Sequence, residues 1–136
     1  MVQNEFDDLD TFRLPASKTI SLVEDEARVR RVIKDVLEIN GFLVLEASDG
    51  EEALSMSKAH LDEIHLLLVD VILPKLDGKA VATQLARERP ELPVMYMSGF
   101  PRQVLESTGQ LTAHDVVLQK PFALEHLLLT IQASCS

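Results

Sequence analysis

Short apolar runs alternate along this chain with longer segments whose apolar residues recur every three or four positions. Leu66, Leu67, Leu68 and Val69 are continuous and too few for a globular helix, so they read as a strand buried on both faces. Thr19–Val23 (TISLV), Phe42–Ala47, Pro93–Met97 (PVMYM) and Val116–Leu118 read as further strands. Val29, Val32, Ile33, Val36 and Leu37 fall at i, i+3, i+4, i+7 and i+8, one stripe of an amphipathic helix that Asn40–Gly41 can stop. A shorter helix opened by acids is expected over Asp49–His60. Another is expected over about 78–89, with Val81, Ala82, Leu85 and Ala86 as its apolar side and Pro90 closing it. Residues 101–111 read as a helix weakened by Pro101, Thr108 and Gly109, and Leu124, Leu127, Leu128 and Ile131 form a last stripe.

Strand and helix thus alternate five times, with no repeat and no internal linker. The pattern predicts an α/β domain: a parallel sheet with helices on both faces and right-handed crossovers. Residues 1–17 (MVQNEFDDLDTFRLPAS) are acidic and aperiodic and read as a disordered tail, although Phe6 and Phe12 could dock on the fold. That leaves 18–136 as the folded domain.

Composition narrows the classes. At 136 residues and 15.2 kDa the chain is one domain, able to bury roughly two-thirds of its unfolded surface. Its formal net charge of −9 repels a phosphate backbone, so direct nucleic-acid binding is not expected. The single cysteine, Cys135, has no internal disulfide partner and suits a reducing compartment; it reads as a bystander. No apolar run approaches the ~20 residues of a membrane span and no signal peptide opens the chain, so a cytoplasmic protein is expected.

The candidate chemistry sits at the strand ends: Glu24 and Asp25 after the first, Asp70 after the third, Ser98 after the fourth, Lys120 after the fifth. An open parallel sheet places all of these on one edge, where such folds bind ligands. Taken singly each has a plainer reading. The acids at 24–26 can cap a helix, Asp70 and Ser98 can be turn residues, and Lys120 can be a solvated lysine. Taken together they pose an electrostatic problem. Two unit charges ~4 Å apart repel by roughly 4 kcal/mol at an effective dielectric near 20. One lysine against three carboxylates leaves an excess that a hard divalent cation would neutralise. Mg²⁺ is therefore expected, with Asp25 and Asp70 as direct ligands and Glu24 acting through water. Such a site suits phosphoryl transfer, with Asp70 as the nucleophile that becomes an acyl phosphate and with Lys120 and Ser98 binding the phosphoryl oxygens. Gly78 and Gly99 leave room for backbone to approach.

These residues resemble the receiver domain of two-component response regulators over about residues 18–134. The resemblance is carried by LVEDE at 22–26, LLLVDVILPKLDG at 66–78, YMSGF at 96–100 and LQKPF at 118–122. The last two pieces are closest in wording to receivers of hybrid sensor histidine kinases. The resemblance implies a flavodoxin-like (βα)5 fold, a doubly wound parallel five-stranded sheet of order 2-1-3-4-5. It implies that Asp70 takes its phosphoryl group from a histidine kinase or histidine phosphotransfer protein, and that Ile72 lends its backbone carbonyl to the metal. It also implies a cis Lys120–Pro121 bond. Two departures stand out. Val117 occupies a position, three before the lysine, that is often aromatic in this family, which puts an aromatic-rotamer switch in doubt. Ile72 and Phe100 are apolar where other receivers position a hydrolytic water, so slow self-dephosphorylation is expected. The chain ends soon after the fifth helix, so output is expected through contact with an unknown downstream protein or as an intermediate phosphorelay step. The family face of helix four, strand five and helix five could also serve a homodimer, with Val104, Leu105 and Leu111 as candidate contacts that could equally be core.

Three other classes compete. A haloacid-dehalogenase-type hydrolase needs a second aspartate two residues past the nucleophile, where Ile72 stands. A flavodoxin needs a Ser/Thr/Gly-rich phosphate loop after the first strand, where Glu24–Asp25–Glu26 stand. A receiver-like interaction module working without phosphorylation would tolerate loss of an acceptor, acidic or lysine position, and none is missing. A phosphoacceptor is not a multiple-turnover enzyme, which separates it from the hydrolase.

Overall fold

The computed structural model describes residues 18–60 and 62–135, so the expected tail at 1–17 lies outside the described residues. Five strands and five helices alternate: β1 Thr19–Val23, α1 Ala27–Ile39, β2 Leu43–Ala47, α2 Gly50–Ala59, β3 Leu66–Asp70, α3 Gly78–Glu88, β4 Val94–Ser98, α4 Arg102–Ser107, β5 Val116–Gln119 and α5 Leu124–Cys135. All strand pairings are parallel and the order is β2-β1-β3-β4-β5, the flavodoxin-like arrangement.

Strand alternation divides the core into two layers. Ile20, Leu22, Leu66, Leu68, Met95, Met97 and Leu118 pack with Ile33, Leu37, Leu127 and Ile131 of α1 and α5. Val23, Leu67, Val69 and Tyr96 pack with Ala53, Val81, Leu85 and Leu105 of α2, α3 and α4. β1 and β3 are buried along their whole length, as continuous apolar runs require.

Local chemistry explains where the helices begin and end. The α1 terminus is a Schellman turn: Gly41 N–H donates to the Glu38 carbonyl and Phe42 N–H to that of Leu37, with Gly41 at φ +91°. Asp49 and Asp77 cap α2 and α3 by accepting from the Glu52 and Ala80 N–H groups. α4 is shorter than the 101–111 expected, because the Thr108 hydroxyl donates back to the Val104 carbonyl and Gly109 turns to φ +80°.

Several sequence expectations need correction. Val32 and Leu124, assigned to apolar stripes, are 51% and 39% exposed. With Val29, Ile33, Pro121 and Phe122 they line a groove of about 540 Å³ between α1 and the β5–α5 connection. Ala86 is exposed on α3. Of the three residues left open between interface and core, Leu105 and Leu111 lie in the core and Val104 faces outward. Cys135 is half-buried, and burial pushes its thiol pKa up, as suits an unreactive side chain. No helix among the described residues is long and apolar enough to cross a membrane.

Candidate functional site

The period of two along a strand decides which end residues meet. Leu22, Leu68 and Leu118 all face the α1/α5 layer, and Glu24, Asp70 and Lys120 follow each by two positions. The three polar side chains therefore emerge on the same side of the same edge. Lys120 Nζ donates to Asp70 Oδ2 at 2.6 Å and to Glu24 Oε1 at 2.5 Å. Carboxylate oxygens of Glu24, Asp25 and Asp70 all lie within 4.8 Å of one another.

Burial sharpens the charge problem. Glu24 is 1% exposed and Asp70 7%, whereas Asp25 is open to solvent. Desolvation holds the Glu24 carboxyl above its usual range, although hydrogen bonds from Lys120 and the Glu26 N–H pull the other way. For Lys120 burial acts downward, but the hydrogen bonds and charges of Asp70 and Glu24 outweigh it and leave the ammonium above its usual value. Three oxygen-bearing carboxylates with no nitrogen or sulfur among them fit a hard cation such as Mg²⁺.

The plainer readings of these residues are partly correct as well. Asp70 Oδ1 accepts from the Ile72 N–H at 3.0 Å, an Asx turn, and Ser98 Oγ accepts from the Phe100 N–H at 2.9 Å. Those bonds orient both side chains. Ser98 is fully buried at the end of β4, and its carbonyl accepts from the Lys120 N–H, tying the hydroxyl strand to the lysine strand. Helix capping, by contrast, does not account for the acids after β1. Glu26 is the N-cap of α1 and makes no side-chain cap bond, while Glu24 Oε2 accepts from the Glu26 N–H at 3.1 Å.

Of the two glycines expected to admit backbone, one is needed by packing. A Cβ on Gly78 would collide with the Asp70 carbonyl oxygen, because α3 begins directly beneath the end of β3. A Cβ on Gly99 would meet nothing within 4 Å, so protein packing does not require glycine there. The Lys120–Pro121 peptide is cis. Ile72 and Phe100 each stand two residues past a site side chain, Asp70 and Ser98, to which they donate their N–H groups, and are 44% and 52% exposed. Val117 lies beside Tyr96 in register and packs on the α2/α3/α4 layer, so no aromatic ring occupies that position.

One residue of the site had no signal in the sequence. Arg30 Nη1 donates to the Glu24 carbonyl at 2.8 Å and Nε to Glu46 Oε1 at 3.1 Å. With Arg28 and Arg31 beside it in the first turns of an amphipathic helix, Arg30 looks like any solvated charge.

Comparison with known proteins agrees with this architecture. The family model described as the response regulator receiver domain matches residues 20–132. The sensor kinase CckA of Brucella abortus is 31% identical over 119 residues, 88% of this chain and 13% of that protein. The response regulator MprA of Mycobacterium ulcerans is 36% identical over 117 residues, 86% of this chain and 50% of that protein. The chain therefore spans half or less of these curated relatives. Among solved structures, the receiver domain of the hybrid histidine kinase CckA superposes with a TM-score of 0.74 at 32% identity, covering 87% of this chain and 99% of that one. A response regulator receiver protein from Sinorhizobium medicae gives a TM-score of 0.76 at 28% identity, covering 88% and 94%.

Proposed function

This chain belongs to the response regulator receiver domain family of two-component signalling, and from that premise we propose that Asp70 is its phosphoacceptor. The observation that carries the reading is the Lys120 ammonium bonded at once to Asp70 and Glu24, beside an acidic cluster of three. An Asp70 carboxylate oxygen attacks phosphorus in line as the N–P bond of a phosphohistidine breaks, and the departing imidazole keeps the electron pair and takes a proton. Asp25, Asp70 and the Ile72 carbonyl are the proposed Mg²⁺ ligands, with Glu24 acting through water. Bound there, Mg²⁺ would neutralise charge on the phosphoryl oxygens. Lys120 would move with its positive charge to a phosphoryl oxygen, and Ser98 would turn its hydroxyl from the Phe100 N–H toward the same group.

The donor is a histidine kinase or histidine phosphotransfer protein, which must present its histidine over this edge of the sheet. The apolar groove adjoining Lys120 is the surface available there. Residues 18–136 form the signalling unit, with 1–17 as a tail preceding it, and the signal passes on through protein contacts. With Val117 in place of an aromatic ring, that signal travels by shifts of backbone and packing around Ser98 and β5.

Acetyl phosphate with Mg²⁺, followed by intact-mass measurement, tests the reading. One added phosphoryl group is expected, abolished by Asp70→Asn. No added group in the wild type would favour a module that binds partners unphosphorylated, and many turnovers would favour a hydrolase. The exposed apolar side chains of Ile72 and Phe100 offer no hydrogen bond to an attacking water. Decay of the purified phosphoprotein over many minutes is therefore expected, and a half-life of seconds would refute that point.

A further inference from the structure

We propose that Arg30 is a positioning residue for the acidic loop, setting the direction of the Asp25 carboxylate and hence the site's affinity for Mg²⁺. The inference rests on the metal-site reading above. Three mutually repelling carboxylates spread apart unless they are held; Lys120 holds Asp70 and Glu24 directly, and the two peptide groups flanking Glu24 are each restrained as well. The Glu24 N–H donates to the Ala47 carbonyl of β2 at 3.1 Å, and the Glu24 carbonyl accepts from Arg30 Nη1 at 2.8 Å. That carbonyl belongs to the Glu24–Asp25 peptide, so rotating it would redirect the exposed Asp25 side chain.

Arg30 is itself anchored. Its Nε donates to Glu46 Oε1 on β2, the Lys34 ammonium approaches the other Glu46 oxygen at 3.5 Å, and its side chain is 20% exposed. The planar guanidinium sends separate donors in two fixed directions, one to the loop and one to the sheet edge, which a single ammonium reproduces poorly. Arg30 donates to a backbone carbonyl and to Glu46, not to the three clustered carboxylates, so it orients the site without competing for its oxygens.

Titrating MgCl₂ into the full chain by calorimetry tests this. Arg30→Met is expected to weaken Mg²⁺ binding about tenfold, the scale usual for partners that orient metal ligands. The Mg²⁺ concentration for half-maximal phosphorylation by acetyl phosphate should rise by the same factor. Arg30→Lys should recover only part of the loss. Arg31→Met is the control: it removes the same charge from a side chain that pairs with Asp35 on the outer face of α1, and wild-type affinity is expected. Should Arg30→Met fail to fold, Glu46→Ala removes the outer anchor of Arg30, together with the Lys34 pairing, and is expected to weaken binding about threefold, a fraction of the full effect. Wild-type affinity in Arg30→Met, or equal weakening in Arg30→Met and Arg31→Met, would overturn the inference. A wild-type protein that binds no Mg²⁺ would instead remove the metal-site reading on which it stands.

Discussion

At the scale of single residues, Glu24 shows what an acidic site costs the fold that carries it. Its carboxyl is buried, and that burial outweighs the help from Lys120 and the Glu26 N–H, so its pKa lies above the ordinary 4.5. An acid whose pKa rises on folding stabilises the protein below its unfolded pKa. That stability is lost as pH climbs through the folded value. At neutral pH the ionised Glu24 is therefore a burden. Without Mg²⁺, and with Lys120 still bonded to Asp70, Glu24→Gln is expected to raise Tm at pH 7. The gain should vanish as pH is lowered below 4.5. Thermal melts of both proteins in a chelator at pH 7 and pH 4 check the sign. A variant less stable than wild type at pH 7 would mean that the Lys120 pairing dominates.

At the scale of elements, the start of α3 matters most, because it lies under Asp70, the carboxylate proposed to take the phosphoryl group. Asp77 caps the helix, and the Gly78 N–H donates to the Val71 carbonyl at 2.9 Å. The turn brings Gly78 so near the Asp70 carbonyl that a methyl group has no room. Gly78→Ala is expected to cost about 3 kcal/mol through overpacking against backbone, whereas Gly99→Ala should cost far less. Denaturant melts of the pair measure the contrast, and similar losses at both positions would contradict it. The Asp77–Gly78 step was legible as a break after β3. That the glycine is demanded by a carbonyl and not by its own backbone angles is a tertiary fact.

At the scale of the whole molecule, the fold gathers three acids at one edge, so the proposed cation site would couple binding to stability. The net charge of −9 gives the surface little with which to offset three clustered acids. A ligand that binds only the folded state stabilises by RT ln(1 + [L]/Kd), about 1.4 kcal/mol at tenfold excess over Kd. Mg²⁺ at that excess is expected to raise Tm by roughly 3–5 °C, and Asp25→Asn should abolish most of the rise. An equal rise with the same ionic strength of NaCl would reduce the effect to screening. Asp25 is suited to this test because it is exposed, so its substitution disturbs no packing.

The sequence by itself determined the alternation of elements, the buried central strand, and the placing of Glu24, Asp25, Asp70, Ser98 and Lys120 at strand ends. Those are properties of local pattern: continuous apolar runs, helical spacing, and polar residues that terminate each run. Tertiary structure decided what depends on distance across the sheet. It decided that Lys120 reaches Asp70 and Glu24 together, that Leu105 and Leu111 go inward, that Val32 and Leu124 stay outside along a groove, and that Arg30 holds the acidic loop. Pattern along a chain specifies which face a side chain takes within its own element. Only the packing of neighbouring elements specifies what that face meets.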